Sequence, residues 1–336
     1  MNSTAAPHFE FLSEPAAQQA AARSARRCFQ EPQWVRAVAA ARGRPHAMVA
    51  VRASWPEGRQ ALLFGAVHRR FGATVFESMP MGGYGGWICE PSLELAEESV
   101  LTSHWLRRAP WAVVRLTSEP GRAASLPEAA TLPLPPRLRS HVESRDFDTH
   151  LLDLTGDDAV RLQRVRQSVR SYLRRVDTLG YSFEIGGDGA LADFCSWYRR
   201  GSQGWRARAG CLLPDQFFEV LQSSGAMDIW RAMRNGVSVG AAAFLIGNTE
   251  VQYQASGAAK VAGPVSAMDA LLWTAARHYS ERGFKSMNLG ASDGLDSVRR
   301  FKEKFGARPF RYRCETYLMP KLMGRVRLVT GPGKLT

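Results

Sequence analysis

The chain has 336 residues, 45% of them hydrophobic, with a formal net charge of +13 and a pI near 10.0. This length suits two domains of ordinary size, and the short apolar runs argue against a membrane span, which needs about 18 consecutive apolar residues. The positive charge favours polyanionic partners such as RNA or nucleotide cofactors, although net charge also serves solubility.

The N-terminal residues lack a basic stretch followed by an apolar core, so we expect no secretory signal and a cytoplasmic protein. The five cysteines are odd in number and never form a C-x-x-C pair, which argues against a disulfide framework and a structural zinc site. We therefore expect reduced thiols, no metal and no tightly bound cofactor.

The first part of the chain has mixed helix and strand patterning. Its glycine-rich run, Pro80-Met-Gly-Gly-Tyr-Gly-Gly86, permits positive φ angles and close approach of the backbone to a ligand or to a neighbouring segment. The periodicity predicts helices at 16–28, 33–42 and 93–107, and strands at 47–53, 61–67, 74–78 and 112–117.

A segment rich in proline and alanine, 119–140, resembles a linker. Ordered patterning resumes near residue 150. We therefore expect an N-terminal domain at 1–150, a second, catalytic domain at 151–325 and a basic tail at 326–336.

A run of six arginines lies between residues 161 and 176. Projected on a helix, this segment has one apolar stripe, with Arg166, Arg170 and Arg174 in a row along its flank. Such a helix is either an ordinary solvated amphipathic helix or a face that follows phosphates, since guanidinium groups bind phosphate in a bidentate manner.

The second half of the chain predicts a meander followed by alternating helices and strands. Asn235-Gly236 is typical of a type I′ hairpin turn. The predicted strands are 227–234, 237–246, 249–256, 285–289 and 310–319, and the predicted helices are 264–282 and 295–305.

This order, together with several motifs, resembles the Fem-like aminoacyltransferases and related acyltransferases of the GNAT superfamily. The motifs are Phe29-Gln-Glu-Pro-Gln-Trp34, Pro80 to Gly86, His150-Leu-Leu-Asp-Leu154, Trp205-Arg206, Asn288-Leu-Gly-Ala-Ser292 and Phe301-Lys-Glu-Lys-Phe-Gly306. The resemblance implies an α/β (α+β) fold with two tandem GNAT-like domains, each a mixed, mostly antiparallel sheet flanked by helices.

The same resemblance leaves the donor open. In single-domain relatives a Q/R-x-x-G-x-G/A loop holds the pyrophosphate of acyl-coenzyme A at a helix N-terminus. Here Lys260 and Gly263 fit that loop, but Val265 replaces its small last residue and Pro264 removes one N–H donor. This departure favours aminoacyl-tRNA as donor and leaves acyl-coenzyme A as an alternative.

Amide formation needs a proton acceptor for the amine and a positive or hydrogen-bonding group for the oxyanion. The resemblance suggests Lys302 for the oxyanion, and Asp269 and Asp293 are candidate bases, although helix capping or a turn would also explain them. The candidate donor-binding residues are Phe301, Lys260, Gly263, Gly290, Ser292, Arg166, Arg170 and Arg174. The candidate acceptor-binding residues are Tyr253, Trp205, Arg206 and Tyr84.

The leading hypothesis is a transferase that forms an amide by direct attack of an amine on aminoacyl-tRNA. The first alternative is an N-acyltransferase that uses acyl-coenzyme A and a sugar amine, amino acid or natural-product amine. The second is a non-catalytic RNA-binding protein with the same fold.

Overall fold

The computed structural model describes residues 6–319 except 26, 127–142, 175, 179, 204–211, 260–265 and 293. The chain divides into two compact units. The first contains the residues up to Phe147 and those from Arg311 onward, and the second runs from Asp148 to Phe310. The expected boundary near residue 150 lies close to this division, but the expected second domain at 151–325 includes the strand from Arg311, which packs in the first unit.

In the part of the first unit that the structure describes, a mixed sheet packs with three α-helices. Its strands follow the order β1-β2-β3-β4-β6-β13, with β5 paired to β3, and β4 and β6 are parallel. The helices are α1 (Glu14–Ser24), α2 (Pro32–Arg42) and α3 (Leu95–Leu106). The strands are β1 (His8–Leu12), β2 (Ala47–Ser54), β3 (Gln60–Arg70), β4 (Ala73–Glu77), β5 (Trp87–Cys89), β6 (Val113–Thr117) and β13 (Arg308–Leu318).

The core of the first unit is aromatic. Trp105 on α3 is fully buried and contacts the rings of Phe76 and Trp111, which stack on each other at 4.6 Å between centroids. Burying such side chains stabilises the fold by about 2–3 kcal/mol each. This cluster fixes α3 on the sheet.

Within the described residues, the second unit is a mostly antiparallel sheet with six α-helices. Its strand order is β7-β12-β11-β10-β9-β8. Among the described strand pairs of this unit, β11 and β12 are parallel and the others are antiparallel. The strands are β7 (Glu143–Asp153, which begins in the first unit), β8 (Tyr181–Ile185), β9 (Met227–Arg234), β10 (Val237–Ile246), β11 (Glu250–Ala258) and β12 (Ser286–Asn288). The helices are α4 (Asp158–Arg164), α5 (Gln167–Leu173), α6 (Ala190–Ser202), α7 (Asp215–Ser223), α8 (Ala267–Glu281) and α9 (Asp296–Glu303).

Helix α8 is the central helix of the second unit. It begins with a capping box, in which Ser266 Oγ accepts from the Asp269 N–H and the Asp269 carboxylate accepts from the Ser266 N–H, both at 3.1 Å. It ends just before Gly283, which adopts a φ of +90°. Its apolar residues, Leu271 and Ala275 among them, pack in the core against the sheet.

The predicted α/β class with mostly antiparallel sheets is confirmed. The meander β9-β10-β11 has the predicted limits within two residues, and Asn235 and Gly236 have the two positive φ angles of a type I′ turn, 51° and 74°.

The predicted continuous helix at 161–176 is wrong. Helices α4 and α5 are separated at Val165 and Arg166, which have extended ψ angles of 142° and 133°. The Arg166 N–H donates to the Lys304 carbonyl at 2.8 Å, and Val165 is buried, so a tertiary contact overrides the helical periodicity. The arginine row therefore does not lie along one helix face.

In the part of the chain that the structure describes, every helix is too short or too polar to cross a bilayer.

Candidate active site

Strands β11 and β12 run together for only three residues. Their parallel pairing joins Glu250 to Ser286, Val251 to Met287 and Gln252 to Asn288. Strand β11 then continues to Ala258, paired to β10 on its other side. Strand β12 ends at Asn288, so the second half of β11 has no paired strand on this side among the described residues, and we call this unpaired edge the gap.

The chain leaving β12 follows β7 instead. The Leu289 N–H donates to the His150 carbonyl at 2.8 Å, and the His150 N–H donates to the Gly290 carbonyl at 3.2 Å. Asn288 Oδ1 accepts from the Gly290 N–H at 2.7 Å and from Thr149 Oγ1 at 2.6 Å. This buried amide holds the turn at Gly290, whose φ of +76° suits glycine.

Lys302 is buried under this turn. Only 3% of the residue is exposed, and its Nζ donates to the carbonyls of Gly290 and Ala291, both at 2.7 Å. Desolvation of an ammonium group is costly, so these charge-assisted bonds are needed to hold it. Lys302 therefore places a positive charge at the end of β12, next to the gap.

His150 lies beside Lys302 and is completely buried. Its Nδ1 is 3.3 Å from Ser292 Oγ, and its Nε2 has no hydrogen-bond partner among the described residues. Burial lowers the pKa of His150, and the positive charge of Lys302 lowers it further. The imidazole is therefore neutral near pH 7, and one ring nitrogen accepts while the other donates.

Gln252 and Tyr253 line β11 where the gap begins. The Gln252 amide donates to the Tyr253 carbonyl at 3.3 Å, while its buried Oε1 has no partner among the described residues. The Tyr253 hydroxyl donates to Ser256 Oγ, and burial raises the pKa of Tyr253 to about 12. Tyr253 is thus a neutral phenol that offers hydrogen bonds and not negative charge.

Asp269 and Lys304 form an ion pair at the start of α8. Lys304 Nζ is 2.5 Å from Asp269 Oδ1 and 4.8 Å from the centroid of the Phe301 ring. The Asp269 carboxylate is therefore used both by the helix cap and by this pair. Phe301 packs at the edge of the core and also contacts Phe305.

The remaining site candidates lie in different surroundings. The Arg170 guanidinium donates to the carbonyls of Gln163 and Val165, whereas Arg166 and Arg174 are exposed. Tyr84 is buried in the first unit, where its ring contacts Phe29 and Tyr312. The candidates outside the described residues are Lys260, Gly263, Trp205, Arg206 and Asp293.

The structure therefore brings Lys302, Gly290, Ser292 and Tyr253 to the same end of the second unit's sheet. Sequence reasoning did not assign roles to His150 and Gln252. His150 belongs to one of the motifs, but the sequence gives no indication of its buried environment, which depends on the pairing of strands distant in sequence.

A second polar cluster lies in the first unit. The side chains of His46, His68 and Glu77 are buried, and their possible ligand atoms lie within 4.8 Å of one another. The two Glu77 oxygens accept from Arg42 at 2.7 Å and from Arg115 at 2.8 Å. The guanidinium groups thus use the carboxylate that a metal would need, and the cluster is better described as an ion-pair network.

This network predicts a pH dependence of folding. Burial lowers the pKa of His68 from 6.5 to about 4, against the opposing effect of the Glu77 carboxylate. Because the unfolded chain then binds more protons, the stability contribution is complete above pH 6.5 and is lost as the pH falls toward 4. We expect a slope of up to about 1.4 kcal/mol per pH unit in this window.

The slope is measurable by denaturant unfolding at several pH values. His68→Gln, which cannot be protonated there, should flatten the slope relative to the wild type. His104→Gln, at a partly exposed position of α3, is the control and should leave the slope unchanged. Equal slopes in His68→Gln and the wild type would refute the assignment.

Comparisons with known proteins agree with this geometry. Residues 163–315 match a family described as an acetyltransferase (GNAT) domain. The crystal structure of FemX is similar over 94% of this chain and 98% of its own, with 9% sequence identity and a TM-score of 0.67. A protein of unknown function from Bacteroides thetaiotaomicron is similar over 93% and 99% of the two chains, with 10% identity and a TM-score of 0.56.

No curated protein sequence matches the chain. At these identities the structural likeness shows the fold alone, and the domain match supports a transferase of acyl or aminoacyl groups. The resemblance drawn from the sequence is thereby confirmed: residues 163–315 match a GNAT domain, and the chain has the Fem-like GNAT fold.

Proposed function

We propose that this protein transfers an aminoacyl group from aminoacyl-tRNA to an amine acceptor, forming an amide by direct attack. The amine nitrogen attacks the ester carbonyl carbon, the carbon–oxygen bond to the terminal ribose breaks, and the ribose hydroxyl leaves with a proton. The amine loses one proton, which balances the proton gained by the ribose oxygen. Because the amine itself is the nucleophile, no protein nucleophile is required.

The observation that carries the choice of donor is the state of the α8 N-terminus. In the acyl-coenzyme A enzymes that the sequence resembles, this position receives a pyrophosphate. Here the Asp269 carboxylate already accepts from the Ser266 N–H and pairs with Lys304. The Ser266 N–H is thus already bonded to a carboxylate of the protein, and a second anion at this end of the helix would have to displace it, which supports a donor that does not place pyrophosphate there.

The gap beside β11 supports the reaction itself. Lys302 provides a positive charge near it, the kind of group that stabilises an oxyanion. We assign oxyanion stabilisation to Lys302, and we assign to His150 the role of orienting Ser292 and the turn that Lys302 holds.

A basic surface supports an RNA-borne donor. In the second unit, a surface cavity of about 410 Å³ is lined by Arg164, Lys285 and Arg308. Its acid, Asp153, already pairs with Arg164 at 3.0 Å. The described lining thus carries three cations and one acid, a positive excess that suits phosphates and agrees with the net charge of +13.

The donor can be identified by incubating the protein with charged tRNA pools or with a panel of acyl-coenzyme A thioesters, and by following the mass of candidate amines. We expect a mass increase by one amino acid residue with charged tRNA, abolished by prior RNase treatment. Thiol release with a thioester and no reaction with charged tRNA would establish the acyl-coenzyme A alternative. RNA binding without transfer to any amine would favour a non-catalytic role.

Removing the charge of Asp269 tests the reason for preferring aminoacyl-tRNA to acyl-coenzyme A as donor. Asp269→Asn keeps a capping side chain but removes the negative charge from the helix end. We expect weak binding of coenzyme A to increase in this variant, as measured by calorimetry. Asp296→Asn, on the exposed first turn of α9, is the matched control. Unchanged coenzyme A binding in Asp269→Asn would remove this argument.

A further inference from the structure

The hairpin between β3 and β4 ends in an unusual residue. Arg70 pairs with Ala73, so the turn consists of Phe71 and Gly72, with φ angles of 48° and 79°. Two positive φ angles define a type I′ turn, for which Asn-Gly is favoured, and a bulky residue in this conformation is strained. Phe71 is also 82% exposed, so neither its backbone nor its ring is explained by folding.

Several arginines lie at this end of the sheet, and one of them packs on the ring. The Arg70 guanidinium carbon is 5.3 Å from the Phe71 centroid, and Arg69 on the same strand is exposed. Arg44 precedes β2, whose Ala47 pairs with Val67 of β3, so Arg44 lies at the same end of the sheet as Arg70. Arg44 Nε has no hydrogen-bond partner among the described residues.

The positive charge of this group is not neutralised within it. Glu77 is the carboxylate that acts on Arg44, but both Glu77 oxygens already accept from Arg42 and Arg115. An excess of cationic charge therefore remains at Arg44 and Arg70, beside an exposed aromatic ring.

We propose that Phe71, Arg70 and Arg44 form a contact site for unpaired RNA, with a base stacked on the Phe71 ring and phosphates bound by the guanidinium groups. Exposed aromatic rings stack on bases of any sequence, and planar guanidinium groups bind phosphate in a bidentate manner. The proposal rests on the proposed function only in identifying this RNA as the tRNA that carries the donor.

One exposed ring fits a base better than a membrane. Stable attachment to a bilayer requires a broad apolar face or a second anchoring signal, and the hairpin end offers a single phenyl ring with arginines close to it. The cationic groups alone would attract both partners, so the ring decides between them.

The test uses Phe71→Asn, because asparagine accommodates a positive φ and the hairpin should fold at least as stably as in the wild type. Binding is measured by fluorescence anisotropy with a short labelled single-stranded RNA and with uncharged tRNA. We expect Phe71→Asn to weaken binding about tenfold, the effect of losing one stacked base. Arg70→Gln should weaken binding and reduce the dependence of log affinity on log salt by about one phosphate contact.

The β9–β10 hairpin of the second unit provides matched controls. Val237 is 64% exposed next to the turn, and Arg234 lies on its other side with its guanidinium over Tyr181. Val237→Asn and Arg234→Gln remove the same kinds of groups elsewhere, and both should bind RNA like the wild type.

Wild-type affinity in Phe71→Asn would overturn the proposal. The proposal would also be overturned if Phe71→Asn kept RNA binding but lost binding to vesicles of phosphatidylglycerol and phosphatidylcholine, since the partner would then be a membrane. The RNA measurements involve no charged donor and no amine, so a failure of aminoacyl transfer leaves this result intact and counts against the proposed function alone.

Discussion

Lys302→Ala is expected to reduce transfer by about 100-fold or more while the protein remains folded. The side chain holds the Gly290 and Ala291 carbonyls and places its ammonium group at the end of β12. Loss of one preorganised group that stabilises an oxyanion costs about 100- to 1,000-fold in turnover. The rate is measured under saturating donor and acceptor, with circular dichroism as a check on folding.

The structural role of Lys302 requires a second variant. Lys302→Met keeps the length of the apolar stem and removes only the ammonium group, so it should fold more stably than Lys302→Ala and be equally inactive. Arg300→Ala removes an exposed cation from the same helix and should retain full turnover. Normal turnover in Lys302→Met would sink the assignment of Lys302 to the oxyanion.

Gly257→Ala is expected to destabilise the protein by about 3 kcal/mol or more. A Cβ at this position would lie 2.1 Å from the carbonyl oxygen of Trp197 and 2.4 Å from its carbonyl carbon. These are backbone atoms of α6, so either the helix or β11 must move. Because β11 borders the gap, transfer should fall together with stability.

The facing glycine is the control. A Cβ on Gly201 of α6 would be 3.7 Å from its nearest neighbours, an ordinary contact, and alanine favours helix by up to about 1 kcal/mol. Urea unfolding should therefore place Gly201→Ala at or above the wild type. Equal midpoints for Gly257→Ala and the wild type, at an unchanged m-value, would contradict the close packing of α6 on β11.

Local signals in the sequence predict much of the second unit. The meander follows from alternating strands and from Asn235-Gly236, a turn whose conformation depends on two adjacent residues. Helix α8 ends where Gly283 predicts, since the stop signal is also local. These elements need no knowledge of distant contacts.

The elements that were not predicted depend on distant contacts or on short segments. Strands β1, β5 and β8 and helices α6 and α7 lie where the sequence analysis predicted none. The break between α4 and α5 is decided by the bond from Arg166 to Lys304, about 140 residues away in sequence.

In the candidate site, too, some features follow from local sequence and others depend on distant contacts. Lys302 was chosen from the motif Phe301 to Gly306. The structure places it next to the turn of a second motif, which contains Gly290 and Ser292. The burial of Lys302 on two carbonyls and its proximity to His150 require the packing of α9 on the turn that follows β12. His150, Gln252 and Asn288 become neighbours only because β7, β12 and β11 pair in the sheet.

The most direct measurement is a single-turnover reaction with excess protein, tRNA charged with a labelled amino acid, and an amine acceptor. We predict that tRNA loses the label at the same rate as the amine gains it, that no label becomes bound to protein, and that Lys302→Met abolishes the transfer. Label retained on the protein, or transfer from a coenzyme A thioester with none from charged tRNA, would contradict it.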